Sequence, residues 1–414
     1  MHQRIYDYID GQRPLVLELQ RALTAIPAFN PDSGGTGESA KADYLAQKLI
    51  DLGFPAPQRI SAPDPRVPSG ERPSLYTVIP GKDRSRTLWI ISHLDVVPPG
   101  DLSLWRTDPF TLHHNPAVDD DLIFGRGVED NQQGIVSSVL AGLACLELSL
   151  TPTCDLGLMF VADEETNSEF GVDYILKNKP GLFRSDDLIL VPDFGNGEGS
   201  LMEVAEKSVL WLKFTVAGKQ CHGSTPEQGV NSLVAAAALI LRLDKLHERF
   251  SERNELFSPP ISTFSPTKKE ANVPNINTIP GNDVFYMDCR ILPCYSSLEV
   301  LAAVEGLARE IEAEYGVSIS IEEDKNAQAA PPTPPDSPAV RKLYRAIDAV
   351  YGITPQLQGI GGATVANFFR KENLQSVVWA RIISNPHVPN ECARISWALG
   401  DAKVMTVMAL DENF

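Results

Sequence analysis

Four short stretches of this chain are almost wholly apolar, and each runs out at a histidine or an acid. Residues 87–98 read TLWIISHLDVVP, so the run 88–91 ends at His93 and Asp95. Residues 155–162 (DLGLMFVA) end at Asp163, Glu164 and Glu165. Residues 188–191 (LILV) end at Pro192 and Asp193, and 376–382 (SVVWARI) are followed by HVPNE at 387–391. A strand that is apolar throughout, rather than alternating, buries both faces, so it belongs inside a sheet covered by helices on each side. Helices are expected between and around these runs, over 5–28 and 39–52 by their apolar period, and over 135–148, 339–351 and 395–410. Strands alternating with helices predict an α/β fold around a mixed, largely parallel sheet with helices on both faces. In such a sheet the carboxyl ends of the strands form the ligand crevice, which brings the histidines and acids to one edge.

The pattern changes near residue 205. Residues 208–217 (SVLWLKFTVA) alternate with period two, as a half-exposed strand does. A helix over 231–250, strands near 261–265 and 283–291, a helix over 298–315 and a strand over 317–321 follow. That is the split βαβ, ferredoxin-like order. Proline-rich 327–338 (AQAAPPTPPDSP) then leads back. At 414 residues the chain is long for a single core. The expected organisation is a catalytic domain in two parts, 1–206 and 326–414, with an α+β domain inserted at 207–325.

Bulk properties remove some function classes. The chain has 54 acidic and 36 basic residues, a net charge of −18, which argues against nucleic acid as a partner. It has no apolar run long enough for a membrane helix, and its start lacks a cationic stretch followed by an apolar one. The six cysteines show no CxxC pair, which leads us to expect a reducing, cytoplasmic setting.

Each polar group has an ordinary reading when taken alone. His93 and Asp95 could be a strand-end histidine bonded to its neighbours, or a metal ligand with the carboxylate that orients it. Asp130, just before the helix at 135–148, could cap that helix. Three adjacent acids at 163–165 are costly unless positive charge is near, and they follow an apolar strand rather than a solvated run. Collected on one sheet edge, two histidines and several carboxylates without paired cysteines suit a catalytic zinc, cobalt or manganese site rather than a structural zinc cage.

The set SHLDVVP, GRGVEDNQQG, VADEET, LVPD, HGS and HVPNE resembles the zinc-dependent amidohydrolases that include aminoacylases, succinyl-diaminopimelate desuccinylase, acetylornithine deacetylase and carboxypeptidase G. The resemblance spans essentially the whole chain. It implies two divalent metal ions, zinc foremost, with His93 and Asp193 on one, Glu165 and His387 on the other, and Asp130 bridging them. It makes Glu164 the general base and Asp95 the residue orienting His93. It implies a homodimer built through the inserted domain, with His222 of QCHGSTP reaching the partner's site to stabilise an oxyanion. Arg290 and Asn277 would bind a substrate carboxylate, and Gly361–Thr364, with Gly362 and Thr364 foremost, would form a substrate loop. The general base must take a proton from water and pass it to the leaving amine, so Glu164 and Glu165 can differ in role only if the strand end bends between them.

Three departures bear on specificity. GGATVANFF places bulky residues close behind the glycines; Gln133 stands where many members have lysine; Asp193 stands where several deacylases have glutamate. The expected activity is hydrolysis of an amide bond in an N-acyl amino acid. A dipeptidase or carboxypeptidase is the alternative within the family. A non-catalytic metal-containing binding protein is the alternative outside it, and such a binder has no use for Glu164 beside the ligands.

Overall fold

The computed structural model describes residues 2–413, and the chain divides into two compact units. The first takes the chain up to Val204, then Thr333–Leu357, then Thr364 onward; the second is Ala205–Pro332 with Gln358–Ala363.

The first unit is built on an eight-stranded mixed sheet. In spatial order its strands are Gln58–Pro63, Glu71–Ile79, Cys154–Val161, Asp83–His93, Leu188–Gly195, Gln375–Ala380, Leu201–Glu206 and Gln356–Ile360. The four from Cys154–Val161 to Gln375–Ala380 run parallel, and antiparallel strands flank them. Cys154–Val161 is buried along its whole length, as its unbroken apolar run requires. On one face Trp89, Ile91, Met159, Val161, Ile189 and Val378 pack with Val172, Ile175 and Phe369 of short helices. Helices Gln132–Glu147, Pro338–Tyr351 and Ile395–Leu410 also pack against the sheet or one another.

Register sets where the polar strand ends fall. His93 pairs with Val161, so the strands bearing His93 and the acids 163–165 stop at one level. Leu188–Gly195 runs four residues beyond the predicted apolar segment. Val191 is opposite Val378 but Gly195 is opposite Ala380, so Pro192–Phe194 form a bulge that carries Asp193. A Cβ at Gly195 would stand 1.9 Å from the Ala380 carbonyl oxygen, so only glycine closes that bulge.

The second unit has the ferredoxin-like order. Its antiparallel sheet runs Thr263–Lys269, Asn282–Ile291, Ser208–Ala217, Ser318–Ala327, and helices Ser232–Leu243 and Ser297–Tyr315 cover one face. A capping box of Ser296 and Glu299 starts the second helix.

Some elements differ from expectation. The helix predicted over 5–28 is two, His2–Asp10 and Arg13–Thr24, parted at Gly11 and Gln12. The helix predicted over 231–250 ends at Leu243, and a single turn, Leu246–Arg249, follows. Edge strands Gln58–Pro63 and Gln356–Ile360 have no clear apolar signature, since an edge need not bury both faces, and Leu201–Glu206, next to the second edge, has its apolar pattern broken by Glu203 and Glu206. Among the described residues no helix is long and apolar enough to cross a membrane.

Candidate metal centre

Seven residues foreseen for the site meet in the first unit. Asp130 lies between two imidazoles: its Oδ1 is 2.9 Å from His93 Nε2 and its Oδ2 is 3.2 Å from His387 Nε2. Asp193 Oδ1 stands 3.8 Å from His93 Nε2, and Glu165 Oε2 stands 2.9 Å from His387 Nε2. Ligand atoms of His93, Glu164 and Asp193 lie within 4.8 Å of one another, as do those of His93, Asp130 and Glu165.

Local chain geometry aims these groups. His93 Nδ1 is 3.0 Å from the main-chain oxygen of Asp95. A carbonyl only accepts, so Nδ1 carries the proton and Nε2 faces the carboxylates. The Asp95 carboxylate is farther from that ring, at 3.5 Å. Its oxygens accept instead from the amides of Glu164 at 3.1 Å and Glu165 at 3.0 Å. Asp95 thus shapes the turn that bears both glutamates. That turn begins at Asp163, which has φ of +64°, so adjacent Glu164 and Glu165 need not alternate as on a strand. Asp163 itself pairs with buried Arg72 at 3.2 Å, and Arg72 also binds Glu38. The acid triplet is therefore divided between an arginine and the imidazole cluster.

Several residues that sequence reasoning left without a role hold this arrangement. Asn131 donates to Asp193 Oδ1 at 2.6 Å and to the Pro192 carbonyl at 2.7 Å. Buried Glu391, the last residue of HVPNE, accepts from the amides of Gly127, Glu129 and Asp130 and from Arg126. Gly127 turns there with φ of +84°, a conformation open to glycine. Glu129 accepts in return from the amides of Ile383 and Asn385. These partners lie more than 250 positions apart, and no local pattern announces them.

The electrostatics show a deficit of positive charge. Burial disfavours a charged His93, yet Asp130, Asp193 and Asp95 hold its pKa well above the histidine range. Hydrogen bonds to Asp130 and Glu165 raise His387 to about 10. Burial opposes ionisation of Asp130, but His387 and His93 pull its pKa below the carboxylate range. Burial and then Asp130 push Glu165 up to about 7. Burial foremost, with Asp193, Glu165 and Asp130, drives Glu164 well above its ordinary value. Among the described residues no lysine or arginine pairs within 4 Å with Asp95, Asp130, Glu164, Glu165 or Asp193. Crowded carboxylates and imidazole nitrogens with no lysine or arginine paired to them are a donor set that fits divalent cations.

The family profile described as Peptidase family M20/M25/M40 matches residues 89–411. The chain belongs to that family. It is therefore a metallohydrolase that cleaves amide or peptide bonds. A relative described as an uncharacterized metallohydrolase of Methanococcus maripaludis is 40% identical over 411 residues, covering 94% of this chain and 97% of its own. The succinyl-diaminopimelate desuccinylase of Polynucleobacter necessarius is 26% identical, over 91% of this chain and 93% of its own. The dipeptidase Dug1p of Saccharomyces cerevisiae superposes with a TM-score of 0.72 at 18% identity, over 99% of this chain and 98% of its own, a likeness of fold.

The remaining foreseen residues of this M20 chain lie elsewhere. In the second unit, Cys221–His222 pairs with Thr278–Ile279, which sets exposed His222 near Asn277. The Ser224 amide donates to His222 Nδ1 at 3.1 Å, which leaves the ring proton on Nε2. Asn277 Oδ1 accepts from Asn275 at 2.6 Å. Arg290, on Asn282–Ile291, does not stand free: it is bidentate to Asp288, at 2.8 and 3.0 Å, and donates to the Gly361 carbonyl at 2.8 Å. Gly361 has open space where a Cβ would stand, and Gly362 nearly so, with neither at positive φ. The fold itself thus sets no steric demand for glycine at either position. Thr364, in the first unit, is buried and accepts from the Ala366 amide at 3.2 Å.

Proposed function

We propose that this protein removes the acyl group from an N-acyl amino acid at a centre of two divalent metal ions, zinc foremost. The observation that carries the reading is the close cluster of carboxylates and imidazoles, most of them half-buried, with which no lysine or arginine among the described residues pairs within 4 Å. His93 and Asp193 would hold one ion, Glu165 and His387 the other, with Asp130 between them. Asp130 turns one oxygen to each imidazole, which suits that part. When bound, two such ions acidify water and polarise a carbonyl. Cobalt and manganese suit the same donors.

The chain's own residues supply the rest. Glu164 makes no hydrogen bond to either imidazole, and burial foremost, with the carboxylates beside it, raises its pKa against the pull of His93, as befits a base that takes a proton from water and delivers it to the leaving amine. His222 presents a donor Nε2, suited to an oxyanion, and the homodimer would bring it to the partner's site. Helix Ser232–Leu243 exposes Leu233, Val234 and Leu241, an apolar stripe available to a second copy. Arg290 has three of its five N–H groups engaged, leaving two for a substrate carboxylate. Its charge is balanced by Asp288, so that contact is one of geometry more than of net attraction.

The desuccinylase resemblance, over most of the chain, favours an acyl amino acid over a dipeptide. Zinc-loaded protein assayed on N-acetyl, N-succinyl and N-benzoyl amino acids and on free-amine dipeptides should cleave the acylated set at least about tenfold better in kcat/KM, the low end of what one buried polar group left unpaired costs. Turnover of the dipeptides alone would replace this reading with a dipeptidase.

A further inference from the structure

Glu129 touches neither imidazole of the cluster, yet it joins the two chain segments that carry Asp130 and His387. Its side chain is 4% exposed. One oxygen accepts from the Ile383 amide at 2.5 Å and the other from the Asn385 amide at 3.0 Å. Those amides open the loop that bears His387. The loop's main chain lies in the left-handed region at Ser384, His387 and Asn390, with φ of +65°, +64° and +61°. Side chains other than glycine leave that region unless their surroundings hold them there. Packing does little of that holding, because the His387 side chain is 55% exposed.

Other restraints act farther along. Asn385 and Cys392 close the loop on itself, and Asn390 is bonded to the main chain of Arg106 and Leu104. Glu391 pins the Asp130 segment from the loop's far end. Glu129 ties the near end of the loop to the residue directly before Asp130. Beside Glu391 and the Arg126 contact with the Val388 carbonyl, Glu129 is thus the link from the Asp130 segment to the residues that lead into His387.

We propose that Glu129 is a positioning residue that holds His387 against Asp130, so that a divalent cation on the His387 side of the cluster depends on the Glu129 carboxylate while one on the His93–Asp193 side does not. This rests on the two-ion reading of the site. The requirement is for a carboxylate. Two main-chain N–H donors need two acceptor oxygens, and a glutamine would turn its own NH2 toward one of them.

Zinc affinity, measured by chelator competition, should show two ions per chain in the wild type. In Glu129→Gln one ion should bind as before and the other at least about tenfold more weakly, the usual effect of removing an outer-shell partner. The variant Glu129→Gln/His387→Ala should match His387→Ala alone. Equal weakening of both ions, or additive losses in the double variant, would overturn the inference. Hydrogen exchange on zinc-free wild type tests it without any substitution. The Ile383 and Asn385 amides should be protected before zinc is added, and protection arriving only with zinc would overturn the proposal. A wild type that bound one ion would remove the two-ion reading and this inference together. Two ions in the wild type with both undiminished in Glu129→Gln would remove this inference alone.

Discussion

Glu164 and Glu165 are chemically alike and adjacent, yet their oxygens meet different groups. Asp95 holds both amides, and the turn sends Glu165 to His387 while Glu164 lies within ligand distance of His93 and Asp193. Two roles are open to a carboxylate so placed, ligand or base, and one substitution separates them. Glu164→Gln keeps the shape and removes the ability to carry a proton. It should retain both metal ions by elemental analysis while kcat falls about 10²- to 10⁴-fold, the usual share of general acid–base catalysis. Loss of one ion instead would make Glu164 a ligand and leave the base to be found elsewhere. The motif itself was plain in the sequence, because three acids after an apolar strand demand compensation. The division of labour within it was not, because Arg72, which takes Asp163, and Asp95, which folds the turn, are distant in sequence.

At the scale of elements, the apolar runs were the legible part. Helix Ile395–Leu410 has the predicted bounds, and Ser297–Tyr315 differs from them by one residue. Both are long, and length is what separates an apolar helix from a buried strand. Edge strands and the bulge at Pro192–Phe194 were not legible, since they answer to the neighbouring strand's register rather than to their own pattern. A polar network hidden inside helix packing was also missed. Asp401, on Ile395–Leu410, is buried and accepts from Gln133 on Gln132–Glu147 at 3.0 Å and from the Arg381 amide. Burial raises its pKa to about 8, against 3.8 for the free side chain. A raised acid keeps its proton in the folded state after the unfolded chain has lost it. Its stabilising contribution is complete below pH ~4 and disappears as pH rises through about 8. The unfolding free energy of wild type relative to Asp401→Asn should therefore fall between pH 5 and 8, by up to about 1.4 kcal/mol per pH unit, and level off above. A difference that stays flat across that range would show that Asp401 is ionised when folded.

At the scale of the whole molecule, the first unit gathers every proposed metal ligand from residues 93 to 387, while His222, Asn277 and Arg290 belong to the second. The sequence shows this division as a change of hydrophobic period, from continuous apolar runs to alternation, because only the first unit's sheet is covered on both faces. It cannot show that Gln358–Ala363 returns to the second unit, since six residues rich in glycine carry no periodicity. The homodimer reading assigns His222 to the partner copy's centre. Mixed dimers decide this. His222→Ala and Glu164→Gln should each be nearly inactive alone. When co-expressed in equal amounts, about half the dimers would be mixed, and each of these would pair an intact Glu164 centre with an intact His222 from the other copy. Recovery of about a quarter of wild-type activity is expected, since one of two centres works in half of the dimers. No recovery from dimers shown to be mixed would return His222 to its own chain's centre or remove it from the reaction.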